Sequence, residues 1–119
     1  MKRRVLIDIE TTALTPQRGE IIRLYACDLN DPSLTFDQLV KPKRPLSTLV
    51  QQITEITNEM LRDAPSIEAV MPEFLDFLDG SIVVSNNSTF ELGFLKMAIE
   101  AMDLQCFQKT SRSICLSEV

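Results

Sequence analysis

The feature that most constrains the fold of this 119-residue chain is the segment of residues 3–9, Arg-Arg-Val-Leu-Ile-Asp-Ile. It is rich in β-branched side chains and mostly apolar, which is typical of a central strand that is covered on both faces. Two acids stand at its end, and residues 11–19 then form a loop marked by Pro16 and Gly19. The segment therefore predicts a central strand that ends beside polar, chemically useful side chains.

The rest of the chain predicts an α/β fold in which strands come first and helices then alternate with strands. The predicted strands after the first cover residues 20–28, 34–40 and 81–85, and 113–116 reads as the start of a fifth. The predicted helices cover residues 57–61, a longer stretch from Ser66 that ends at Gly80, and residues 89–103. The first three strands suit an antiparallel meander, so we expect a mixed sheet flanked by helices.

Composition excludes several classes of protein. The net charge of −5 argues against binding nucleic acid by bulk positive charge. It still permits an enzyme that binds phosphate through bound metal cations. The absence of histidine excludes histidine catalysis and histidine-ligated metal within this chain. Three cysteines without a CxxC motif fit reduced thiols, and no apolar run is long enough to span a bilayer. We expect one domain over residues 1–119, without a secretion signal and cytoplasmic.

Asp8 and Glu10 form the first candidate site. Their spacing of two residues places both side chains on one face of a strand, and strand ends of open α/β sheets are common ligand sites. Two adjacent carboxylates repel each other, and a hard divalent cation such as Mg²⁺ or Mn²⁺ relieves that repulsion. The alternative is a pair of exposed acids at a strand end with no ligand.

A second candidate site lies in residues 85–95, which join the fourth strand to the next helix. Glu91, in the first turn of that helix, points back toward the strand ends where Asp8 and Glu10 are expected. The local sequence supports a structural role equally well, because Ser88 and Glu91 have the spacing of a helix capping box. On these residues alone both interpretations stay open.

Two motifs together resemble one enzyme family. Residues 8–12, Asp-Ile-Glu-Thr-Thr, resemble the first motif of the DEDD 3′–5′ exonucleases, the DnaQ-like family that includes the proofreading epsilon subunit of bacterial DNA polymerase III. Residues 87–95, Asn-Ser-Thr-Phe-Glu-Leu-Gly-Phe-Leu, resemble its second motif, and residues 53–66 resemble the segment between them. The similarity runs from about Val5 to Leu116, nearly the whole chain.

The resemblance implies an RNase H-like fold and two-metal hydrolysis of phosphodiester bonds at nucleic-acid 3′ ends. Asp8, Glu10 and Glu91 match the family's acidic metal ligands, with Mg²⁺ or Mn²⁺ as the expected cofactor. The matched substrate positions are those that line the terminal nucleotide or its splayed end: Thr11, Thr12, Leu14, Asn87 and Phe90. The implied partners are a single-stranded 3′ end and a polymerase or other replication proteins.

The chain also departs from the family pattern. The second-motif acid is Glu91 where Asp is usual, Ala13 replaces the usual Gly, and the third motif with its His or Tyr base and fourth Asp is absent. We therefore expect a domain that lacks its C-terminal part and pairs as a homodimer through residues 113–116, since an uncovered apolar face favours association. Two alternatives remain: a non-catalytic module that binds a partner or a nucleic-acid end, and an unrelated α/β protein with chance motifs.

Overall fold

The computed structural model describes residues 3–85, 88–101 and 114–118, and these contain five strands and four helices. The strands are β1 (Arg3–Thr11), β2 (Ile21–Asp28), β3 (Thr35–Leu39), β4 (Ser81–Ser85) and β5 (Ile114–Glu118). The helices are α1 (Thr48–Thr54), α2 (Asn58–Leu61), α3 (Ile67–Leu78) and α4 (Ser88–Ala101). Within this described part, no helix combines the length and the apolar composition that crossing a membrane requires.

The five strands form one mixed sheet in the order β3-β2-β1-β4-β5. Strand β1 pairs antiparallel with β2 and parallel with β4, while β3 pairs antiparallel with β2, and β5 parallel with β4. This confirms the predicted α/β architecture, with an antiparallel meander joined to parallel strands. Strand β1 is longer than predicted because Thr11 still pairs with Ile21, after a register shift between Glu10 and Thr11.

The main core lies on the sheet face that α3 and α4 cover. Buried side chains of β1 and β2 pack there against α3, whose apolar positions recur at helical spacing and bury Val70, Met71, Phe74, Leu75 and Leu78. The sequence predicts that this helix starts near Ser66, and Ser66 caps α3 by accepting a hydrogen bond from the Ala69 amide. Pro72 lies inside α3 without ending it, and Gly80, at φ 75°, follows the helix in a left-handed conformation.

Arg3 fixes the start of β1. Its guanidinium group donates to the Asp28 carboxylate at 3.3 Å and to the carbonyl oxygens of Phe77 and Asp79. Backbone amides of residues 30 and 31 also donate to Asp28, and these bonds, together with Arg3, hold the pKa of this buried carboxyl below its usual range. Strand β1 is thus tied to both β2 and the end of α3, far from the acids at its other end.

Helix α1 was not located from the sequence, which predicted short helical pieces after residue 45 but placed only the one at residues 57–61. No residue of α1 is buried, and its apolar side chains Leu49 and Ile53 are exposed, so the usual apolar signature of a packed helix is missing. Its ends are nevertheless well defined. Ser47 caps the start, and Glu55 follows the last turn at φ 62°, donating its amide to the Gln51 carbonyl.

Replacing Glu55 with glycine should stabilise the fold. Glu55 is the only non-glycine residue in the described part with a positive φ, and this conformation costs an L-residue about 1–2 kcal/mol. Glycine removes this cost, but its greater entropy in the unfolded chain offsets part of the gain. We therefore expect Glu55→Gly to raise the free energy of unfolding by about 0.5–1 kcal/mol. Urea denaturation monitored by circular dichroism measures this difference.

Glu73→Gly is the matched control, since Glu73 is an exposed glutamate inside α3. There the same substitution should lower the free energy of unfolding by about 1 kcal/mol. A loss of stability in both variants would show that Glu55 is not strained.

Candidate active site

Asp8 and Glu10 lie on the same face of β1, as their spacing predicts. Val5, Ile7 and Ile9 point into the core on the opposite face and are buried, whereas Asp8 is exposed and Glu10 is half-buried. Partial burial raises the pKa of Glu10, and the negative charge of Asp8 raises it further. The two carboxylates are therefore close enough to repel each other on an accessible surface.

Glu91 reaches the same region from the first turn of α4 and is only 4% exposed. One of its carboxylate oxygens accepts a hydrogen bond from the Ile9 amide at 2.7 Å, and the other accepts one from the Ser85 hydroxyl. Strand β4 pairs with β1 as far as Ile7 opposite Ser85. Glu91 thus provides an acceptor for β1 just beyond the point where the parallel ladder ends.

Asp8 connects the other two acids electrostatically. Burial raises the pKa of Glu91, the hydrogen bonds from Ser85 and Ile9 oppose that rise, and the nearby negative charge of Asp8 adds to it. Asp8 also raises the pKa of Glu10. Among the residues that the structure describes, however, no three Asp, Glu, His or Cys side chains already stand in a metal-ligating arrangement.

Arg23 is a neighbour of the acids that the sequence did not reveal. It pairs directly with Glu10 across β1 and β2. Its positive charge lowers the pKa of Glu10, whereas burial and the charge of Asp8 raise it. The Nε and Nη2 atoms of Arg23 each donate to Asp37 of β3 at 2.8 Å, a bidentate pair. Only the strand register brings these three side chains together, so no local motif could have identified them.

The loop after β1 holds the threonines of the first motif. The hydroxyl of Thr11 donates to the Ala13 carbonyl at 2.7 Å, and Thr12 exchanges two hydrogen bonds with Glu20, each of 2.9 Å. Leu14 projects into solvent at 83% exposure. A Cβ atom at Gly19 would lie 2.9 Å from the Ala13 amide nitrogen, so the loop can close only over a glycine.

The second motif places its aromatic residue at the margin of the core. Phe90 is half-buried and packs beside Phe94, with ring centroids 5.2 Å apart. Asn87 and the Ser88 side chain lie outside the described residues, so the substrate role of Asn87 and the capping role of Ser88 stay predictions.

Comparison with known proteins identifies the family. The sequence profile described as Exonuclease, RNase_T, matches residues 5–118. This chain belongs to the exonuclease family. It is 44% identical over 98 residues to DNA polymerase III PolC-type of Thermotoga petrophila and 36% identical over 100 residues to that of Staphylococcus haemolyticus. These stretches cover 81% and 82% of this chain but only 7% of either relative.

Solved structures show the same RNase H-like fold. Exonuclease X, determined in complex with 5′ overhanging duplex DNA, is 31% identical, with a TM-score of 0.60 over 74% of this chain and 51% of its own. The nuclease domain of 3′hExo, a DEDDh family member bound to rAMP, has a TM-score of 0.72 at 23% identity, covering 84% of this chain and 59% of its own. Family and fold therefore agree with the resemblance carried by the two motifs.

Removing the Ser85 hydroxyl should destabilise the protein more than removing that of Ser81. Both serines are buried on β4, but Ser85 donates to the Glu91 carboxylate while Ser81 donates to the neutral Leu78 carbonyl. Because hydrogen bonds to charged groups are stronger, we expect losses of about 1.5–3 kcal/mol for Ser85→Ala and about 0.5–1.5 kcal/mol for Ser81→Ala. Chemical denaturation at neutral pH measures both, and equal losses would contradict a charge-assisted role for Ser85.

Proposed function

We propose that this chain carries the acidic site of a 3′–5′ exonuclease of the DNA-proofreading type, which hydrolyses phosphodiester bonds at nucleic-acid 3′ ends. The observation that carries the proposal is the convergence of Asp8, Glu10 and Glu91 at one end of the central strand, in a chain matched by the exonuclease profile. The chain spans about 7% of the length of its PolC-type relatives. That it shares the activity of those much longer proteins is therefore our proposal.

The donor set fits Mg²⁺ or Mn²⁺. All three candidate ligands are carboxylates, which these hard cations prefer, and the mutual repulsion of Asp8 with Glu10 and Glu91 is what a cation would relieve. Asp8 and Glu10 would hold the metal from the accessible face, with Glu91 as the third acid behind them. When bound, such cations activate a water molecule and stabilise the leaving oxygen.

The residues around the acids suit the binding of a strand end. Leu14 offers an exposed apolar side chain for a terminal base, and the hydrogen bonds of Thr11 and Thr12 fix the loop that carries it. Phe90 directly precedes Glu91 in the first turn of α4. An unpaired 3′ end requires no unstacking of a duplex before it enters such a site. We therefore infer a single-stranded 3′ end as substrate.

A second candidate function is a non-catalytic module that binds a nucleic-acid end or a protein partner. One observation favours it: both carboxylate oxygens of Glu91 accept hydrogen bonds from the protein itself, from Ser85 and Ile9. Each carboxylate oxygen has two lone pairs, so these bonds still leave acceptor capacity for a ligand. The exonuclease proposal therefore does not require Glu91 to move.

The implied partners follow from the relatives. Because the similar proteins are PolC-type DNA polymerases III, we infer that this domain works with a polymerase or other replication proteins in the cytoplasm. The homodimer through residues 113–116 stays a prediction, since the side chains of β5 are outside the described part of the chain.

The substitution Asp8→Asn tests the site directly. Without divalent metal it should raise the melting temperature, because it removes the charge that repels Glu10 and Glu91. Mn²⁺ should stabilise the wild type, by about 1.4 kcal/mol at ten times its Kd, and should leave Asp8→Asn unchanged. In the presence of Mg²⁺ or Mn²⁺, shortening of a 5′-labelled single strand from its 3′ end should fall by roughly a hundredfold or more in the variant.

Glu73→Gln is the control, because Glu73 is an exposed acid inside α3 and lines neither the acidic site nor a groove. It should respond to metal and cleave like the wild type. An oligonucleotide that is bound but never shortened would support the non-catalytic module instead. Equal stabilisation of the wild type and Asp8→Asn by Mn²⁺ would overturn the metal site.

A further inference from the structure

A basic groove lies outside the acidic site. It encloses about 450 Å³ and is lined by the loop of residues 41–45 together with residues of α2 and the turn that follows it. Four of its lining residues are cations and one, Glu59, is an acid. A second groove of about 430 Å³ shares Lys41, Lys43 and Arg44 and adds one cation, Arg18, and two acids, Glu20 and Glu68. The cations of the two grooves are Arg18, Lys41, Lys43, Arg44 and Arg62.

The loop that carries these cations is held in place by its backbone. The Glu20 carboxylate accepts hydrogen bonds from the amides of Lys43 at 2.7 Å and Arg44 at 3.3 Å. The Lys41 amide donates to the Pro65 carbonyl, and Leu46 exchanges two hydrogen bonds with the Asn58 side chain. These bonds hold the backbone of the loop, and the charged side chains that it carries are exposed to solvent.

The three cations of the loop of residues 41–45 lack the carboxylate partners that neutralise the arginines of the sheet. Arg3 pairs with Asp28, and Arg23 pairs with Asp37. In the part of the chain that the structure describes, none of the side chains of Lys41, Lys43 and Arg44 forms an ion pair. In a chain of net charge −5, the two grooves together have five cations against three acids, Glu20, Glu59 and Glu68, and so carry a local excess of positive charge.

The groove lies at the same edge of the sheet as the acids. Glu10 pairs with Arg23, and Arg23 pairs in turn with Leu39, so these three residues form one row across β1, β2 and β3. Adjacent strands are about 4.8 Å apart, which places the end of β3 about 10 Å from Glu10. Lys41 follows that strand end by two residues. A nucleic-acid strand rises about 3.4 Å per nucleotide, so a few nucleotides span the gap.

We propose that this groove binds the sugar-phosphate backbone of the strand whose 3′ end reaches the acids, several nucleotides upstream of that end. This inference rests on the proposed function for the identity of the strand. The acids repel phosphate in the absence of metal, whereas the cations of the groove attract it. The chain therefore binds the upstream nucleotides of the substrate in the groove and hydrolyses its 3′ end at the acids.

An acidic peptide is the other polyanion that such a groove could accept. Nucleic acid is favoured because the groove adjoins the candidate active site through Glu20, which bonds both Thr12 and the basic loop. A phosphodiester backbone also carries one charge per nucleotide at regular spacing, which suits a row of lysine and arginine side chains.

The decisive experiment measures binding without catalysis. Fluorescence anisotropy with a labelled oligothymidylate of about 12 nucleotides, in EDTA and across a salt series, gives the affinity and its salt dependence. Arg44→Gln should weaken binding about threefold and lower the slope of log K against log salt by about 0.7. Lys43→Gln combined with Arg44→Gln should weaken binding about tenfold and lower the slope by about 1.4.

Arg4→Gln is the matched control, because Arg4 is an exposed arginine at the opposite end of β1. It should leave affinity and slope unchanged. Equal effects of Arg4→Gln and Arg44→Gln, or no effect of the double variant, would overturn the inference. Displacement of the oligonucleotide by a polyglutamate peptide as effectively as by unlabelled oligonucleotide would overturn it in favour of a protein partner.

A second measurement separates this inference from the proposed function. With Mg²⁺ present, the double variant should raise KM for the oligonucleotide without changing kcat, and should leave hydrolysis of the p-nitrophenyl ester of thymidine 5′-phosphate unchanged. If the protein cleaves neither substrate, the proposed function fails while the anisotropy result still decides the groove. Cleavage of the oligonucleotide with an unchanged KM in the double variant would count against the groove alone.

Discussion

The candidate site depends on the buried carboxylate of Glu91. This side chain joins the first turn of α4 to the Ile9 amide of β1 and to the Ser85 hydroxyl at the end of β4. A buried carboxylate without donors would be strongly unfavourable, so these two hydrogen bonds compensate for its burial and link the helix to the sheet. They also hold Glu91 next to Asp8, and in this way a contact that stabilises the fold builds part of the site.

The same arrangement concentrates negative charge. Asp8 raises the pKa of Glu10 on one side and contributes to the raised pKa of Glu91 on the other. A fold optimised only for stability would separate such groups, and the retention of repelling acids at one end of a central strand is typical of a functional site. The nearby cations differ in their partners. Arg23 forms an ion pair with Asp37, whereas the cations of the loop of residues 41–45 line a groove that can accept a ligand.

The sequence predicted the features that depend on local pattern. The apolar run of β1, the start of α3 near Ser66 and the fifth strand all follow from residues adjacent in the chain. The sequence did not predict the features that depend on tertiary contacts. Helix α1 buries none of its side chains and so shows no apolar periodicity, and Arg23 meets Glu10 only through the register of β1 and β2. The two motifs identified the acids, but the donors that hold Glu91 became visible only in three dimensions.

The central claim is that Asp8 and Glu10 hold a divalent cation beside Glu91. Anomalous diffraction from crystals of the metal-free protein soaked in Mn²⁺, and from matched crystals of Asp8→Asn, tests it most directly. The account predicts an anomalous peak in contact with the carboxylates of Asp8 and Glu10 in the wild type and no peak there in the variant. The absence of a peak at the end of β1 in the wild type, or an unchanged peak in Asp8→Asn, would contradict it.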